Sequence, residues 1–332
     1  MIINNTEELY IGSLTSLLES QLWFSPLYHQ SALNYHQHQT EDRGKTVNNH
    51  SFILLNNNVP VIGFIGAIVD DKTTTELLSY ESPCISIENK NKLTAKTGKI
   101  FLKEFDQIVE KVNGIIWYRD FINCGELSTL SRHLLRKGAK SYPVFSQVID
   151  LNRSEDELKR ALRKSYNSLI NWGNRELKPQ IISASNVTWE KMKDFQDLHM
   201  REAGRKTRSE ESWNIQFEMV RAGEAFLVMG NFDDELVSAG LFSHTKTNCY
   251  YGTSASRRDF FAKPLFHSLM WTAILHAKKL GCRWFEAGQQ DFLNHPQENP
   301  PSKKELGISL FKAGFGGQTR MFLDLKLDCS QE

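Results

Sequence analysis

A chain of 332 residues with 40% apolar and 24% charged residues has the composition of a soluble globular protein, long enough for two ordinary domains. A formal net charge of +1 excludes a global pull toward nucleic acid or an anionic membrane, so any basic site has to be a local patch. Five dispersed cysteines (Cys84, Cys124, Cys249, Cys282, Cys329) show neither CxxC nor Cys/His ligand spacing, which argues against zinc and for reduced thiols in a cytoplasmic protein. No apolar run approaches the ~18 residues of a membrane span. The opening "MIINNTEELYIG" has no basic or apolar leader region, so no signal peptide is expected.

Leu14, Leu17, Leu18, Leu22 and Trp23 predict an amphipathic helix stopped near Pro26. "HSFILLNNNVPVIGFIGAIVD" reads as two strands around an Asn-rich turn, and "KTTTELLSY" as a third. A helix follows, with Leu93, Ile100, Phe101, Phe105, Ile108 and Val112 on one face. Then come the strand "IIWYRD", the helix "ELSTLSRHLLRKGA" with Gly138 as its C-terminal stop, and the strand "VFSQVIDL". Ser154 and Glu157 form a capping box that opens one or two basic helices running to Pro179. The strand "QIISAS", two helices from Thr188 and from "SEESW", and a meander of three or four strands come next. "KPLFHSLMWTAILHAKKLG" is a strong helix with Pro in its first turn and Gly281 at its end, and "CRWFEAG" is a buried strand. A helix around "ISLFKAGFGG" and the strand "RMFLDLKL" close the chain. Helices, meander, helix, short strand, helix and strand thus occur twice in the same order, which predicts a degenerate duplication with units 1–152 and 153–332.

Three stretches, "LRKSYNSLINWGNREL", "YYGTSASRRDFFAKPLFHSLMWTAILHAKKLGCRWFEAGQ" and "GISLFKAGFGG", together resemble the FemABX-type acyltransferases and the related double-GNAT proteins. The resemblance spans Leu158 to Leu327, and the Phe-Lys-x-x-Phe-Gly-Gly run is its most specific part. It implies an α+β fold of two tandem GNAT-like domains, each a mixed, mostly antiparallel sheet flanked by helices. It also implies transfer of an acyl group from an activated carrier to an amine, with the carbonyl bound where two central strands part. Members divide by donor, acyl-CoA or aminoacyl-tRNA. This chain lacks the long coiled-coil arm of some tRNA-using members, which favours acyl-CoA, such as acetyl-CoA, with aminoacyl-tRNA as the alternative. The acceptor that the resemblance implies is an envelope or surface-polysaccharide precursor, such as a nucleotide-linked amino sugar. No metal and no DNA partner is expected. A non-catalytic GNAT-like scaffold is the rival from another class, and the oligomer is not specified.

Within that frame Lys312 is the first catalytic candidate, as a cation for a developing oxyanion or a donor phosphate. It also reads as a helix-end lysine facing the dipole. Phe311 and Phe315 flank it and line either an acyl pocket or the core, and Gly316 and Gly317 would let backbone approach a donor. Glu286, at the end of its strand, is placed to take a proton from an amine, or to pair with Arg283; Asp291 and His267 are equal alternatives. His199 is a further base candidate, near Arg201, Arg205 and Lys206. Arg257, Arg258 and Lys263 occupy the position of the GNAT pyrophosphate loop, yet "RRDFFAK" has no glycine. For the acceptor, Arg163, Lys164, Tyr166, Asn167, Asn171 and Arg175 form a basic helical stripe, or a solvated face, and Tyr251 joins them from the meander. "HQHQ" at His36–Gln39 is two ligands at most, which do not make a metal site.

Overall fold

The computed structural model describes residues 1–21, 23–122, 125–294 and 300–330, so the expectations for Leu22 and Cys124 fall outside it. The first part runs β1 (Ile2–Asn4), α1 (Leu9–Glu19), a 3-10 turn (Pro26–Tyr28), α2 (Gln30–Asp42), β2 (Thr46–Asn49), β3 (Phe52–Asn56), β4 (Val59–Ile65), β5 (Ala67–Asp70), β6 (Thr75–Leu78), β7 (Ile85–Glu88), α3 (Ala95–Val109), β8 (Ile115–Asp120), α4 (Thr129–Arg136) and β9 (Lys140–Asp150). The second runs α5 (Glu155–Ala161), α6 (Tyr166–Glu176), β10 (Gln180–Ile182), α7 (Trp189–Ala203), α8 (Glu210–Arg221), β11 (Ala225–Phe232), β12 (Glu235–His244), β13 (Asn248–Ser256), α9 (His267–Lys279), β14 (Trp284–Gln290), α10 (Lys303–Ala313) and β15 (Gln318–Asp328). Helix starts follow the capping signals: the hydroxyls of Ser154 and Ser302 accept from the N–H three residues on, and Glu157 and Glu305 reach back.

One expectation shifts. Trp23 is not helical. Ser20 Oγ donates to Leu17 O at 2.6 Å and turns the chain out of α1, and the Trp23 ring then lies buried between Phe121 and Phe322. The segment "HQHQ" is part of α2, where residues two apart point to different sides. His36 is partly buried there, whereas His38 meets Asp42 and Ser209.

Strand order is β10-β11-β12-β13-β14-β9-β15-β8-β6-β5-β2 in one sheet and β1-β3-β4-β7 in a second. The last strand of each half lies beside the central strand of the other: β9 pairs with β14, and β15 pairs with β8. The two exchanged strands also pair with each other, from Gln318↔Val148 to Lys326↔Lys140. One α+β body results, with separate cores at α6/α9, at α3/α4, at α1 and at α7/α8. Across the β15–β8 seam Arg119 donates Nε and Nη2 to the two oxygens of Asp324 at 2.6 and 2.9 Å, and Trp117 Nε1 donates to the same carboxylate at 2.9 Å. Asp324 is almost wholly buried, so removing it strands a cation. Asp324→Ala is expected to cost about 3 kcal/mol in chemical denaturation.

His36, His199 and His267 are each held down to about 4 from the ordinary 6.5, by burial first, with Arg208 adding to it at His36 and His199. The unfolded chain takes up those protons at higher pH than the fold does. The stabilisation is therefore complete above pH ~6.5 and drains away as pH falls toward ~4. Urea midpoints measured across that window should fall steadily; a flat profile would refute buried neutral histidines.

Candidate functional site

β13 and β14 run parallel, yet they pair only at Asn248↔Trp284, Cys249↔Phe285 and Tyr250↔Glu286. Beyond that point β14 continues on β9 as far as Gln290↔Phe145, and β13 continues on β12 as far as Ser256↔Ser238. The strands part into a wedge whose facing backbone groups have no ladder partner across it.

Three groups meet at the apex. Gly288 (φ +93°) has no side chain, and a Cβ there would lie 3.2 Å from Lys312 Nζ and 3.9 Å from the Tyr250 ring. Into that room α10 sends Lys312, whose Nζ donates to Gln289 O at 3.1 Å. Burial pulls the ammonium below its usual range, against the fields of Asp291 and Glu286. Glu286 is buried and accepts from Ser25 Oγ and Ser146 Oγ, both at 2.9 Å. Its carboxyl is pushed up by burial, against those hydroxyls and the cations Arg119 and Lys312. A cationic and an acidic side chain thus lie close to the point where the strands part, the residue types needed to polarise a carbonyl and accept a proton.

The other sequence candidates divide into groups. Phe311, Phe315 and Tyr166 form an aromatic cluster with His267 beneath the wedge, and Tyr166 Oη donates to Phe311 O at 3.0 Å. Tyr251 lies in the same core, stacked on Phe242 and leaning on Phe266. The glycines after Lys312 are filled by protein. A Cβ on Gly314 would enter the Tyr166 ring, one on Gly316 would lie 2.8 Å from Ala161 O, and one on Gly317 would run into Val148 O. They set how closely α10 and its exit approach α5, α6 and β9. Arg163 donates Nη2 to Leu310 O at 2.9 Å, while Lys164 and Asn167 line an open hollow with Asp156, Lys159, Arg160, Leu162 and Asn171. Arg175 pairs with Glu176 in solvent.

The pyrophosphate-loop candidates are engaged elsewhere. Arg257 is paired with Glu235 and Asp259, Arg258 with Glu202, and Lys263 lies over the rings of Phe232 and Trp172. The start of α9 is itself covered: a Cβ on Gly173 of α6 would collide with Ser268, and one on Gly240 would meet Phe266 at 2.7 Å. His199 belongs to a different cluster. Its Nε2 faces Arg208 Nη1 at 3.1 Å, and the same guanidinium donates to Tyr35 Oη (2.5 Å) and to Thr253 Oγ1 (3.0 Å), three residues beyond Tyr250 on β13. Beside it, Gln39, Asp42, Arg43, Lys206, Thr207, Arg208 and Ser209 line a hollow of about 320 Å³ between α2 and the α7–α8 loop.

Sequence reasoning missed Ser25, Ser146, Tyr250 and Arg208. Ser25 lies 261 residues from its carboxylate partner, and no local pattern carries that bond.

No family model matches the chain, and no curated protein does. Solved structures do. The crystal structure of FemX is 12% identical with a TM-score of 0.70, covering 98% of this chain and 97% of that one. The C-terminal domain of a putative lysylphosphatidylglycerol synthetase from Agrobacterium fabrum is also 12% identical, with a TM-score of 0.60 over 95% and 91%. A tandem GNAT protein from the clavulanic acid biosynthesis pathway, again 12% identical, aligns over 100% and 99% with a TM-score of 0.56. The fold of this chain is the FemABX-type, tandem-GNAT fold.

Because burial raises the Glu286 carboxyl, the fold holds its proton to higher pH than the unfolded chain does. Stability is therefore given up as pH rises through the window above 4.5. Glu286→Gln, which keeps the shape without the charge, is expected to melt at or above the wild-type temperature at pH 8; a marked fall would contradict this account.

Proposed function

We propose that this protein is an N-acyltransferase whose reaction takes place in the β13–β14 wedge. The observation that carries the reading is that Lys312 Nζ and the Tyr250 ring both border the space over Gly288, where the strands part. An amine nitrogen bonds the carbonyl carbon of the donor, the carbonyl oxygen gains charge near the Lys312 ammonium, and Glu286 accepts the amine proton. Collapse breaks the bond to the carrier atom, which leaves with that proton. Ser25 and Ser146 hold the carboxylate in place. Units 1–152 and 153–332 act as the two halves of this one site, the first supplying Ser25 and Ser146.

The hollow at Arg43, Lys206 and Arg208 suits an anionic acceptor, such as a nucleotide-linked amino sugar of envelope or polysaccharide synthesis. It replaces the α5–α6 stripe as the favoured acceptor side, because Arg208 reaches the wedge strand through Thr253. For the donor, the covered start of α9 and the glycine-free, carboxylate-paired loop before it leave no cradle for a pyrophosphate. That favours an aminoacyl ester, as on tRNA, over acyl-CoA. Three buried free cysteines accord with a cytoplasmic setting.

The test is transfer from labelled acetyl-CoA and from aminoacyl-tRNA to a panel of nucleotide-linked amino sugars. Transfer from the ester, falling about 100-fold or more in kcat for Lys312→Ala, is the expected result. Release of CoA thiol instead would select the acyl-CoA reading. No transfer from either donor, or full activity of Lys312→Ala, would leave the wedge as a scaffold.

A further inference from the structure

Five large apolar side chains exposed to solvent gather around α10: Leu293 (70% exposed), Leu310 (61%), Met321 (51%), Phe292 (46%) and Ile308 (41%). Contacts tie the Phe292–Leu293 segment to α10 and, through Phe145, to Met321, while Ile308 and Leu310 flank the buried Ser309 on either side of the helix. Asp291 N donates to Ser309 Oγ at 2.8 Å, which lays the segment bearing Phe292 and Leu293 along the middle of the helix. The Phe292 ring packs edge-on against Phe145 at 5.3 Å, and Phe145 is the cross-strand partner of Met321. Ser309 is the one residue that α10 fully buries, so the apolar side chains of its first turns are left outside the core. Isolated exposed leucines need no explanation; a contiguous patch does.

The rim of the patch is basic. Lys303 and Lys304 stand exposed in the first turn of α10, with no ion pair among the described residues. Arg163 is bonded to the carbonyl of Leu310 itself. Next to it, Lys159, Arg160 and Lys164 line the open hollow of about 800 Å³, in which Asp156 is the carboxylate. Among the described residues Glu305 is turned back to the Ser302 backbone and hydroxyl, and Asp291, at the head of the Phe292–Leu293 segment, accepts from Gln289.

We propose that this face of α10, with the Phe292–Leu293 segment, docks on an anionic lipid bilayer. The aliphatic centre would enter the acyl boundary while the lysines and arginines meet headgroup phosphates. An RNA partner would use the same cations but gain little from Leu293, Leu310, Ile308 and Met321, since stacking needs planar groups. Docking would bring Lys312, two residues beyond Leu310, and the mouth of the wedge to the membrane plane. The proposal does not depend on the transfer reaction.

Cosedimentation of the full chain with vesicles of phosphatidylcholine and phosphatidylglycerol, against pure phosphatidylcholine, tests it. Binding to the anionic vesicles alone, weakened by salt, is expected. Leu293→Ser/Leu310→Ser should reduce it about tenfold or more, and Lys303→Glu/Lys304→Glu should reduce it too, with melting temperatures unchanged. Lys312→Ala should bind as the wild type does, so loss of transfer and loss of docking are read separately. Failure of the wild type to sediment, equal binding by the folded leucine variant, or a wild-type dimer in light scattering that the leucine variant abolishes would overturn the proposal.

Discussion

The commitment of β14 to β9 rather than to β13 is what the site rests on. A parallel pair could have zipped along its whole length. Here β14 is drawn away by an antiparallel ladder from the other half, and β13 stays with its own meander. The gap that results is lined by backbone polar groups, which inside a protein are costly to leave unmade. At least one of them, Gln289 O, is met by the Lys312 ammonium.

The exchange of final strands brings the groups around Glu286 together. Because β9 lies between β14 and β15, Ser146 is carried under Glu286, and the loop before the 3-10 turn brings Ser25 to the other oxygen. The Arg119–Asp324 pair ties β15 to the first half close to the same carboxylate. A buried ion pair adds little net stability over an apolar one, yet breaking it is costly. Such a seam specifies register more than it strengthens the fold. Buried Glu286, raised and penalised by desolvation, is the kind of locally unfavourable group that a stable frame can hold for chemistry.

The glycines that follow Lys312 illustrate how one motif can serve two ends. Gly314, Gly316 and Gly317 are explained by close packing on Tyr166, Ala161 and Val148. That packing fixes the end of α10, and with it the reach of the lysine. The glycine that makes room for the ammonium is Gly288, on the neighbouring strand.

Periodicity, caps and turn residues were enough to mark most elements and the repeated order of the two halves, because those signals are local: Ser154 with Glu157, Gly138, and the meander before α9. Lys312 could be singled out for the same reason, before a glycine at the end of its helix; Glu286, expected to end its strand, is instead third in β14, which runs on to Gln290. Trp23 was misjudged where the local pattern was outweighed by burial against distant rings. What only the tertiary structure decided is the partnership: which strand lies beside β14, which hydroxyls reach Glu286, and that Arg257 and Arg258 are already neutralised. Those depend on contacts between residues far apart in the chain, and a one-dimensional pattern carries no term for them.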